Sequence, residues 1–398
     1  MKLSDLAIFG GAPRFREPLH VGRPHQVNRD ALFRRLNTMF DRQWLTNDGP
    51  YVEEFERTLS QRLGIAHCLV TCNATAGLEI LLKACALTGD IIVPSFTFAA
   101  TAHAVQWSGL TPVFCDIDRR THNIDPRDVE RQVTERTSAI LAAHLWGRAC
   151  DVEALEAIAA RHDLYLFFDS AQAFGCSHHG RPIGGFGDAE VFSFHATKPV
   201  TTFEGGAVTT DDHGLAEKVA LMRSFGFADY DEVVSVGTNA KMSEVGAAMG
   251  LTSLEAFAAV VNVNCRHLAQ YARDLQGLPG VTLIEFEAKD TPNYQFVVAE
   301  IDAEFTGITR DLLQRVLWAE QVLARRYFYP GCHRMSPYVR PDGQPVRTLP
   351  VTDDLASRVL CLPTGTALTS DDVAGVCEIV RYAVEHGHDI TARAGRHG

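Results

Sequence analysis

The 398-residue sequence predicts an α/β fold in which a large domain with a mostly parallel sheet precedes a smaller α+β domain. Between residues 67 and 225, short β-rich runs alternate with helical patterns. Several of these runs are apolar on both faces, which is typical of a sheet covered by helices on both sides. After residue 240 the alternation gives way to one long helical stretch and a few further strands.

Seven β-rich runs make up the predicted sheet, and they are HCLVT (67–71), IIVPS (91–95), TPVFCDI (111–117), SAILAAHL (138–145), LYLFFD (164–169), EVFSF (190–194) and GAVTT (206–210). The helices predicted between or after them cover 75–87, 98–107, a segment opening at 125–126, 151–162 and about 215–224. Asp125 and Asp151 stand where N-cap residues are expected, and Pro126 suits a first helical turn.

Polar residues at the ends of the strands are the first candidates for a site, because ligands of such sheets bind beyond the carboxyl ends of the strands. These residues are Asn73, Ser95, His144, Asp169 and His195.

The C-terminal part contains a predicted long helix over 244–278, strands over 281–286 and 294–301, and helices near 310–321 and 371–386. We expect residues 1–245 to form an N-terminal segment and the large domain, and residues 246–398 to form the connecting helix and the small domain. Because no repeat or low-complexity linker separates them, the two domains should pack tightly.

Composition narrows the class of protein. The formal net charge of −12 gives no basic footprint for nucleic acid, so local donors must hold any anionic ligand. Residues 1–15 lack the apolar core of a signal peptide, and no apolar run approaches the roughly 20 residues of a membrane helix. The ten scattered cysteines lack metal-site spacing. We expect a cytoplasmic protein without nucleic acid, membrane or metal.

Lys198 lies shortly after a strand, within FSFHATKPVTTFEGGAVTT (192–210). A Schiff-base lysine needs apolar surroundings that lower its pKa, and the three phenylalanines of this stretch could supply them. Gly205 and Gly206 would permit close backbone approach, and Ser193 could donate to a phosphate. On its own, the pattern fits a surface lysine in a hairpin equally well.

Asp169 ends a strand of buried-type residues, where a carboxylate is costly unless it is paired. A protonated pyridine nitrogen would be a suitable partner, and Gln172 could hydrogen-bond the phenolic oxygen of the same ring. A helix N-cap at Asp169 is an equally good alternative.

The stretch TCNATAGLEILL (71–82) runs from a strand through a small-residue turn into a helix. Free N–H groups at the helix start, together with the hydroxyl of Thr75, would favour a phosphate. A plain capped turn is the commoner outcome of such a pattern.

Together, these segments resemble the DegT/StrS family of sugar aminotransferases, which are pyridoxal-phosphate enzymes of fold type I. The matching stretches follow the family's order along nearly the whole chain, and they are WLTNDGPYVEEFE (44–56), NATAGLE (73–79), IIVPSFTFAAT (91–101), HLWGRACD (144–151), FDSAQAFG (168–175), GDAEVFSFHATK (187–198), EGGAVTT (204–210) and GTNAKMSEVGAAMG (237–250).

The resemblance implies that Lys198 holds pyridoxal 5'-phosphate, with pyridoxamine phosphate as the intermediate form, and that Asp169 pairs with the pyridine nitrogen. Gln172 would bind the ring oxygen and Phe98 would stack on the ring. The family's contacts with the cofactor phosphate correspond to Ala74, Thr75 and Ser193.

Two residues of the GTNAKMSE segment have roles that the resemblance assigns across a homodimer. Asn239 of the neighbouring subunit would complete the phosphate site, and Lys241 would face the sugar. Without the resemblance, Asn239 reads as a turn residue.

The stretch LARRYFYPGCHRMSPY (323–338) resembles family members that aminate C-4 of nucleotide-linked 4-keto-6-deoxy sugars. Its basic residues could meet a nucleotide diphosphate, and they are Arg325, Arg326, His333 and Arg334. A basic surface loop is an equally good alternative.

His195 stands where many relatives have tyrosine, so it could contact substrate or simply pack. A few relatives replace the lysine with histidine and become dehydratases. This chain keeps Lys198, which favours transamination.

The resemblance therefore implies an amino transfer from glutamate to a nucleotide-linked keto-sugar, at C-4 of dTDP-4-keto-6-deoxyglucose, in the biosynthesis of an antibiotic or glycan. The alternatives are a 3-keto sugar or a keto-cyclitol as acceptor, an elimination or dehydration on the same cofactor, and a non-catalytic regulatory relative that binds the cofactor. The intact set of Lys198, Asp169 and Gln172 weighs against the last.

Overall fold

The computed structural model describes residues 2–395, and its centre is the predicted seven-stranded sheet. The strands, β1 to β7 along the chain, are His67–Thr71, Asp90–Pro94, Thr111–Cys115, Thr137–Ala143, Tyr165–Asp169, Ala189–Ser193 and Gly206–Thr210. They lie in the order β1-β7-β6-β5-β4-β2-β3. All neighbours are parallel except that β7 runs antiparallel to β1 and β6. The predicted strands are confirmed with each boundary within two residues.

Helices cover both faces of this sheet, and in the first part of the chain they span Arg29–Arg42, Pro50–Leu63, Ala74–Ala84, Ala99–Trp107, Pro126–Gln132, Val152–His162 and His213–Arg223. Asp125 accepts a hydrogen bond from the N–H of Arg127, and Asp151 accepts one from the N–H of Ala154. Both predicted N-caps are therefore confirmed. The helices before residue 64 were not predicted.

The C-terminal part is built around the helix Glu244–Asp274 and an antiparallel sheet of Val281–Leu283, Val297–Ile301 and Val359–Leu362, in that order. Its other helices span Ala303–Thr306, Arg310–Ala319, Pro350–Arg358, Ser370–Glu385 and Gly387–Ala394. The predicted strands over 281–286 and 294–301 are shorter in the structure, and the strand at 359–362 was not predicted.

Short elements complete the chain. The two-stranded pairs are Leu19–His20 with Val322–Leu323, Ser177–His178 with Arg181–Pro182, and Phe227–Asp229 with Glu232–Val233. The 3-10 helices are Leu3–Asp5, Ala7–Phe9, Leu145–Gly147, Cys332–Arg334 and Ser336–Tyr338.

The long helix connects two hydrophobic cores. Phe257 belongs to the core on the large sheet, and Tyr271 belongs to the core of the C-terminal part. Leu6 and Leu19 also pack in the second core, so the N-terminal segment joins the C-terminal part in space. The division into two domains at residue 245 stays a proposal. The N-terminal segment is an exception to it, because this segment packs on the C-terminal part.

The helix Glu244–Asp274 is also long and apolar enough to cross a membrane, and 61% of its apolar window is buried inside the fold. That degree of burial is typical of a core helix, since a membrane span would turn its apolar surface outward.

Candidate active site

A cavity of about 450 Å³ lies at the carboxyl ends of the parallel strands. Ala143, Asp169 and Ser193 end β4, β5 and β6, and all three line it. Gln295 and Arg325 line it from the C-terminal part of the chain. The site therefore lies where an α/β sheet is expected to bind ligands, between the two parts of the molecule.

Lys198 lines this cavity from the loop between β6 and β7. Burial lowers the pKa of its ammonium group to about 8, and the negative charge of Asp169 partly opposes that shift. A lysine with a pKa near neutrality is a nucleophile and a proton carrier under physiological conditions, whereas an ordinary lysine is almost entirely protonated. The structure therefore does not support the alternative of a surface lysine in a hairpin, because Lys198 lines the cavity and is partly buried.

Asp169 is buried, and its carboxylate has two partners. The hydroxyl of Thr101 donates to Oδ2 at 2.6 Å, and the N–H of Ala171 donates to Oδ1 at 3.1 Å. Burial raises the pKa of Asp169, while both hydrogen bonds and the charge of Lys198 act in the opposite direction. No helix begins after Asp169 in the described chain, where a turn follows, so the N-cap alternative is wrong.

Gln172 is buried beside the same cavity. Its Oε1 accepts a hydrogen bond of 2.8 Å from the N–H of Trp146, and Trp146 itself has a left-handed φ of 62°. With the oxygen engaged, the side-chain amide nitrogen is the group left to act as a donor to a ligand.

The turn at 73–75 forms one end of the cavity. Asn73 Oδ1 accepts from the N–H of Ala76 at 2.8 Å and caps the helix, while Asn73, Ala74 and Thr75 line the cavity. Gly206 lies so close that a Cβ there would come within 2.6 Å of the nitrogen of Ala74. Gly206 thus permits β7 to pass close to the start of the helix. The free N–H groups at that helix start favour an anion.

Phe98 and His195 also line the cavity, and both are exposed toward it. The ring of Phe98 is 61% exposed, so it is available to stack on a ligand. His195 Nδ1 lies 2.9 Å from Thr197 Oγ1, and its Nε2 lies 3.5 Å from Glu204, which lines the cavity as well.

Asn239 and Lys241 do not line the cavity of their own chain. Lys241 donates to Asn239 Oδ1 at 2.8 Å and lies 4.7 Å from the ring centre of Phe225. Asn239 is exposed. This position is compatible with a role in a neighbouring subunit, which stays a proposal.

The basic residues of 323–338 divide into two groups. Arg325 lines the cavity, with its guanidinium 5.5 Å from the ring centre of Tyr327. Arg326 instead pairs with Asp311 at 3.0 Å. Only Arg325 of this segment's predicted basic residues is brought to the cavity.

His333 and Arg334 face a different part of the fold. His333 is buried, and its Nδ1 lies 2.6 Å from Ser95 Oγ. Arg334 forms a two-pronged ion pair with Asp353. Neither residue lines the cavity, and Ser95 does not line it either, so the arrangement does not support a substrate contact for them.

Two residues at or behind the cavity were not identified from the sequence. Thr101 is buried behind Asp169 and reaches it from the first turn of the helix after Phe98. A threonine one turn beyond the predicted stacking residue is the signal that could have found it. Gln295 donates to the carbonyl of Thr197 at 3.2 Å, and its own oxygen is buried without a protein partner in the described chain. Nothing local in the sequence points to Gln295.

His144 was a candidate as a strand-end residue, and it does line the cavity. Its ring stacks on Phe168 at 4.4 Å, and its Nδ1 accepts from the N–H of Cys150 at 2.9 Å. Burial lowers the pKa of His144 to about 3, so the ring is neutral. Its Nε2 lies 3.8 Å from Glu190 Oε2.

These residues fit pyridoxal phosphate on the chemistry of the donor set. The buried carboxylate of Asp169 needs a cationic partner, which a pyridinium nitrogen provides. The helix start at Ala74, opened by Gly206, suits the phosphate, and the amine of Lys198 suits the aldehyde. Phe98 and Gln172 would hold the ring.

Known proteins match the chain over nearly its whole length. Residues 27–381 match the DegT/DnrJ/EryC1/StrS aminotransferase family. The chain is 34% identical over 348 residues to dTDP-4-amino-4,6-dideoxy-D-glucose transaminase of Escherichia coli, covering 87% of this chain and 93% of that protein. It is 29% identical over 349 residues to GDP-perosamine synthase of Escherichia coli O157:H7, with coverages of 87% and 93%.

A crystal structure of DesI in the presence of its TDP-sugar product superposes with a TM-score of 0.95 and 52% identity, covering 99% of this chain and all of that one. The chain therefore belongs to the DegT/DnrJ/EryC1/StrS aminotransferase family, and the predictions of family, fold and sugar aminotransferase activity are confirmed.

Proposed function

We propose that this family member is a pyridoxal-phosphate enzyme that transfers an amino group from glutamate to a nucleotide-linked keto-sugar, at C-4 of dTDP-4-keto-6-deoxyglucose, in deoxyamino-sugar biosynthesis. The observation that carries the proposal is the meeting of Lys198, Asp169 and Gln172 at one cavity, with the pKa of Lys198 lowered to about 8. The other predicted cofactor contacts, apart from Asn239, line the same cavity.

When bound, pyridoxal phosphate supplies an electron sink for the charge left at the α-carbon of the amino donor. Lys198 Nζ is then the base that removes the α-proton and the acid that returns a proton to the sugar carbon. The Asp169 carboxylate would keep the ring nitrogen protonated, and Thr101 holds that carboxylate in place. Gln172 would donate from its amide to the phenolic oxygen of the ring.

The nucleotide part of the substrate is proposed from the residues around Arg325. Its exposed guanidinium at the cavity wall matches the oxygens of a diphosphate, and the rings of Tyr327 and Phe98 flank the same opening. The relatives named for TDP and GDP sugars support the substrate class. The 52% identity to DesI favours the TDP sugar.

We also propose a cytoplasmic homodimer with shared active sites. Asn239 is exposed and lies outside the cavity of its own chain, as expected of a residue that serves the neighbouring subunit.

Two measurements test the function. Borohydride reduction of the yellow protein should attach the cofactor to the peptide that contains Lys198, and attachment at another lysine contradicts the assignment. Incubation with glutamate and dTDP-4-keto-6-deoxyglucose should give 2-oxoglutarate and a 4-amino sugar, which NMR of the product identifies. Double-reciprocal plots of the initial rate, with both substrates varied, should give parallel lines, as expected of ping-pong kinetics.

The same assay distinguishes the alternatives. A GDP sugar, a 3-keto sugar and a keto-cyclitol are offered as competing acceptors, and a preference for one of them replaces the proposed substrate. Loss of water without gain of nitrogen indicates dehydration. Cofactor binding without turnover of any acceptor indicates a regulatory protein.

A further inference from the structure

A cluster of two histidines and two carboxylates lies outside the active-site cavity. His178 and His179 belong to the hairpin formed by Ser177–His178 and Arg181–Pro182, and Glu153 lies in the first turn of the helix Val152–His162. Asp290 comes from the loop before Val297–Ile301. All four line an open groove of about 510 Å³, so ions in solvent can reach them.

The turn of the hairpin places the imidazole rings of His178 and His179 on the same side of the hairpin. His179 has a left-handed φ of 48° and is followed by Gly180 at 83°, which is the two-residue turn that normally favours Asn-Gly. As a result the rings of His178 and His179 stack at 3.9 Å, instead of pointing to opposite faces as successive strand residues do.

The distances within the cluster match a metal-ligand set. His178 Nε2 lies 3.2 Å from Glu153 Oε2, and His179 Nδ1 lies 3.5 Å from Glu153 Oε1. One ligand atom from each of the three residues lies within 4.8 Å of the others. Two ligands of a tetrahedral zinc ion, each at about 2.0 to 2.1 Å, are about 3.3 Å apart, so small side-chain rotations would complete the site.

Asp290 lies where a metal-bound histidine usually has its second partner, beside the ring nitrogen that does not bind the metal. Its Oδ1 lies 3.5 Å from His178 Nδ1, and it accepts a hydrogen bond of 3.0 Å from the backbone N–H of His179. The side chain of His178 is only 11% exposed, and its Nδ1 has no well-formed hydrogen bond within the described chain. A carboxylate behind a ligating imidazole fixes its tautomer and raises its basicity.

His178 lies between the two carboxylates of the cluster. Its Nε2 is 3.2 Å from Glu153, and its Nδ1 is 3.5 Å from Asp290. A divalent ion at Nε2 would bind this ring, the ring of His179 and Glu153 at once, and would leave Nδ1–H to donate to Asp290.

We propose that Glu153, His178 and His179 bind a divalent transition-metal ion of the zinc type, with water as the fourth ligand and Asp290 as the outer partner of His178. The ion would connect the helix Val152–His162, the hairpin and the loop that carries Asp290, and would stabilise their contact. The sequence predicted no metal site, because its cysteines lack metal-site spacing and Glu153 lies 25 residues before His178 in the chain.

Zn²⁺ binding to the purified, chelator-treated holoenzyme tests the site by titration calorimetry, and Co²⁺ absorption reports ligand geometry. We expect one ion per chain and a higher melting temperature with Zn²⁺ but not with Mg²⁺, which prefers oxygen ligands. His178→Gln and His179→Gln should each abolish the shift. Asp290→Asn should weaken binding by about tenfold to a hundredfold, as outer partners do.

His162→Gln is the matched control, because His162 ends the same helix and pairs with Glu130 at 2.9 Å without a second histidine. It should leave Zn²⁺ binding unchanged. Glu153→Gln keeps the shape of its side chain, so it tests the ligand if a histidine variant fails to fold. Absence of Zn²⁺ binding to the wild type, or binding that persists in all three ligand variants, overturns the proposal, and neither result bears on the aminotransferase activity.

Discussion

Thr101 donates its hydroxyl to Oδ2 of Asp169 at 2.6 Å, and it is fully buried behind the active-site cavity that Asp169 lines. Thr97 Oγ1 lies 3.1 Å from Thr101 Oγ1 and can donate to it in turn. Burial raises the pKa of Asp169, and the donation from Thr101 is among the contacts that lower it. The hydrogen bond from Thr101 therefore favours the ionised form of Asp169 in a place where burial favours the neutral form.

Replacing Thr101 tests this relationship. Thr101→Val keeps the shape but removes the donor, and a hydrogen bond to a charged group contributes about 1.5 to 3 kcal/mol. We expect kcat/KM to fall by about tenfold to a hundredfold, with a changed pH dependence of the cofactor absorbance. Thr101→Ser should retain most of the activity, and equal losses in both variants would contradict a role for the hydroxyl.

The reactivity of Lys198 should depend on pH in a defined direction. Only the neutral amine captures an aldehyde, and with a pKa of about 8 that form increases as the pH rises from 7 to 9. The rate of covalent uptake of pyridoxal phosphate by the cofactor-free protein should rise in the same interval and then level off. A rate that continues to rise toward pH 10.5 would show an ordinary lysine, and Lys198→Ala gives the background.

Arg325 and Arg326 form a matched pair for substrate binding. Arg325 lines the cavity, whereas Arg326 is paired with Asp311 at 3.0 Å. Arg325→Ala should raise the KM for the nucleotide sugar by about tenfold or more with little change in kcat, because a phosphate contact is lost in ground and transition states alike. Arg326→Ala should change KM much less. The reverse order of effects would place the diphosphate elsewhere.

Glu190 should make the protein less stable as pH rises. Burial raises its pKa to about 7, although Ser170 and the N–H groups of Gly184 and Phe186 lower it. The folded state therefore holds a proton that the unfolded state has released, and stability falls by up to about 3 kcal/mol between pH 4.5 and 7.

Glu190→Gln should remove most of this pH dependence, since an amide does not ionise. Denaturant unfolding of wild type and variant across this pH range measures the difference. Parallel stability curves would show that Glu190 is not the group responsible.

The proposed sharing of Asn239 between subunits predicts complementation. Lys198→Ala and Asn239→Ala proteins should each be nearly inactive. After subunit exchange at equal amounts, half of the dimers are hybrids with one complete site, so roughly a quarter of wild-type activity should return. Mixing Lys198→Ala with itself is the control, and no recovery after verified exchange would contradict the shared site.

The strands could be predicted from the sequence because their signal is local. Asp90–Pro94 and Tyr165–Asp169 are short apolar runs bounded by turns, and this pattern alone predicts a buried strand. Lys198, Asp169 and Gln172 could be named because they follow strand ends of a parallel sheet within recognisable motifs. The helices before residue 64 were not predicted, although Phe55, Leu59 and Leu63 recur at helical spacing and are buried.

Contacts between distant segments could not be predicted in this way. Arg325 and Arg326 are adjacent and chemically alike, yet one faces the cavity and the other faces Asp311. Gln295 reaches the cavity from the C-terminal part of the chain, where no local pattern marks it. Which partner a side chain meets depends on how the two cores pack on the long helix.

The sequence by itself predicted the fold class and the family and named Lys198 and Asp169 as candidates, because periodicity and strand-end motifs are properties of short stretches. Only the tertiary structure decided the state of those groups. Burial among residues distant in sequence lowers the pKa of Lys198 to about 8, and Thr101 bonds to Asp169 across a separation of 68 residues. Desolvation and hydrogen bonding depend on the complete surroundings of a group, and those exist only in the folded chain.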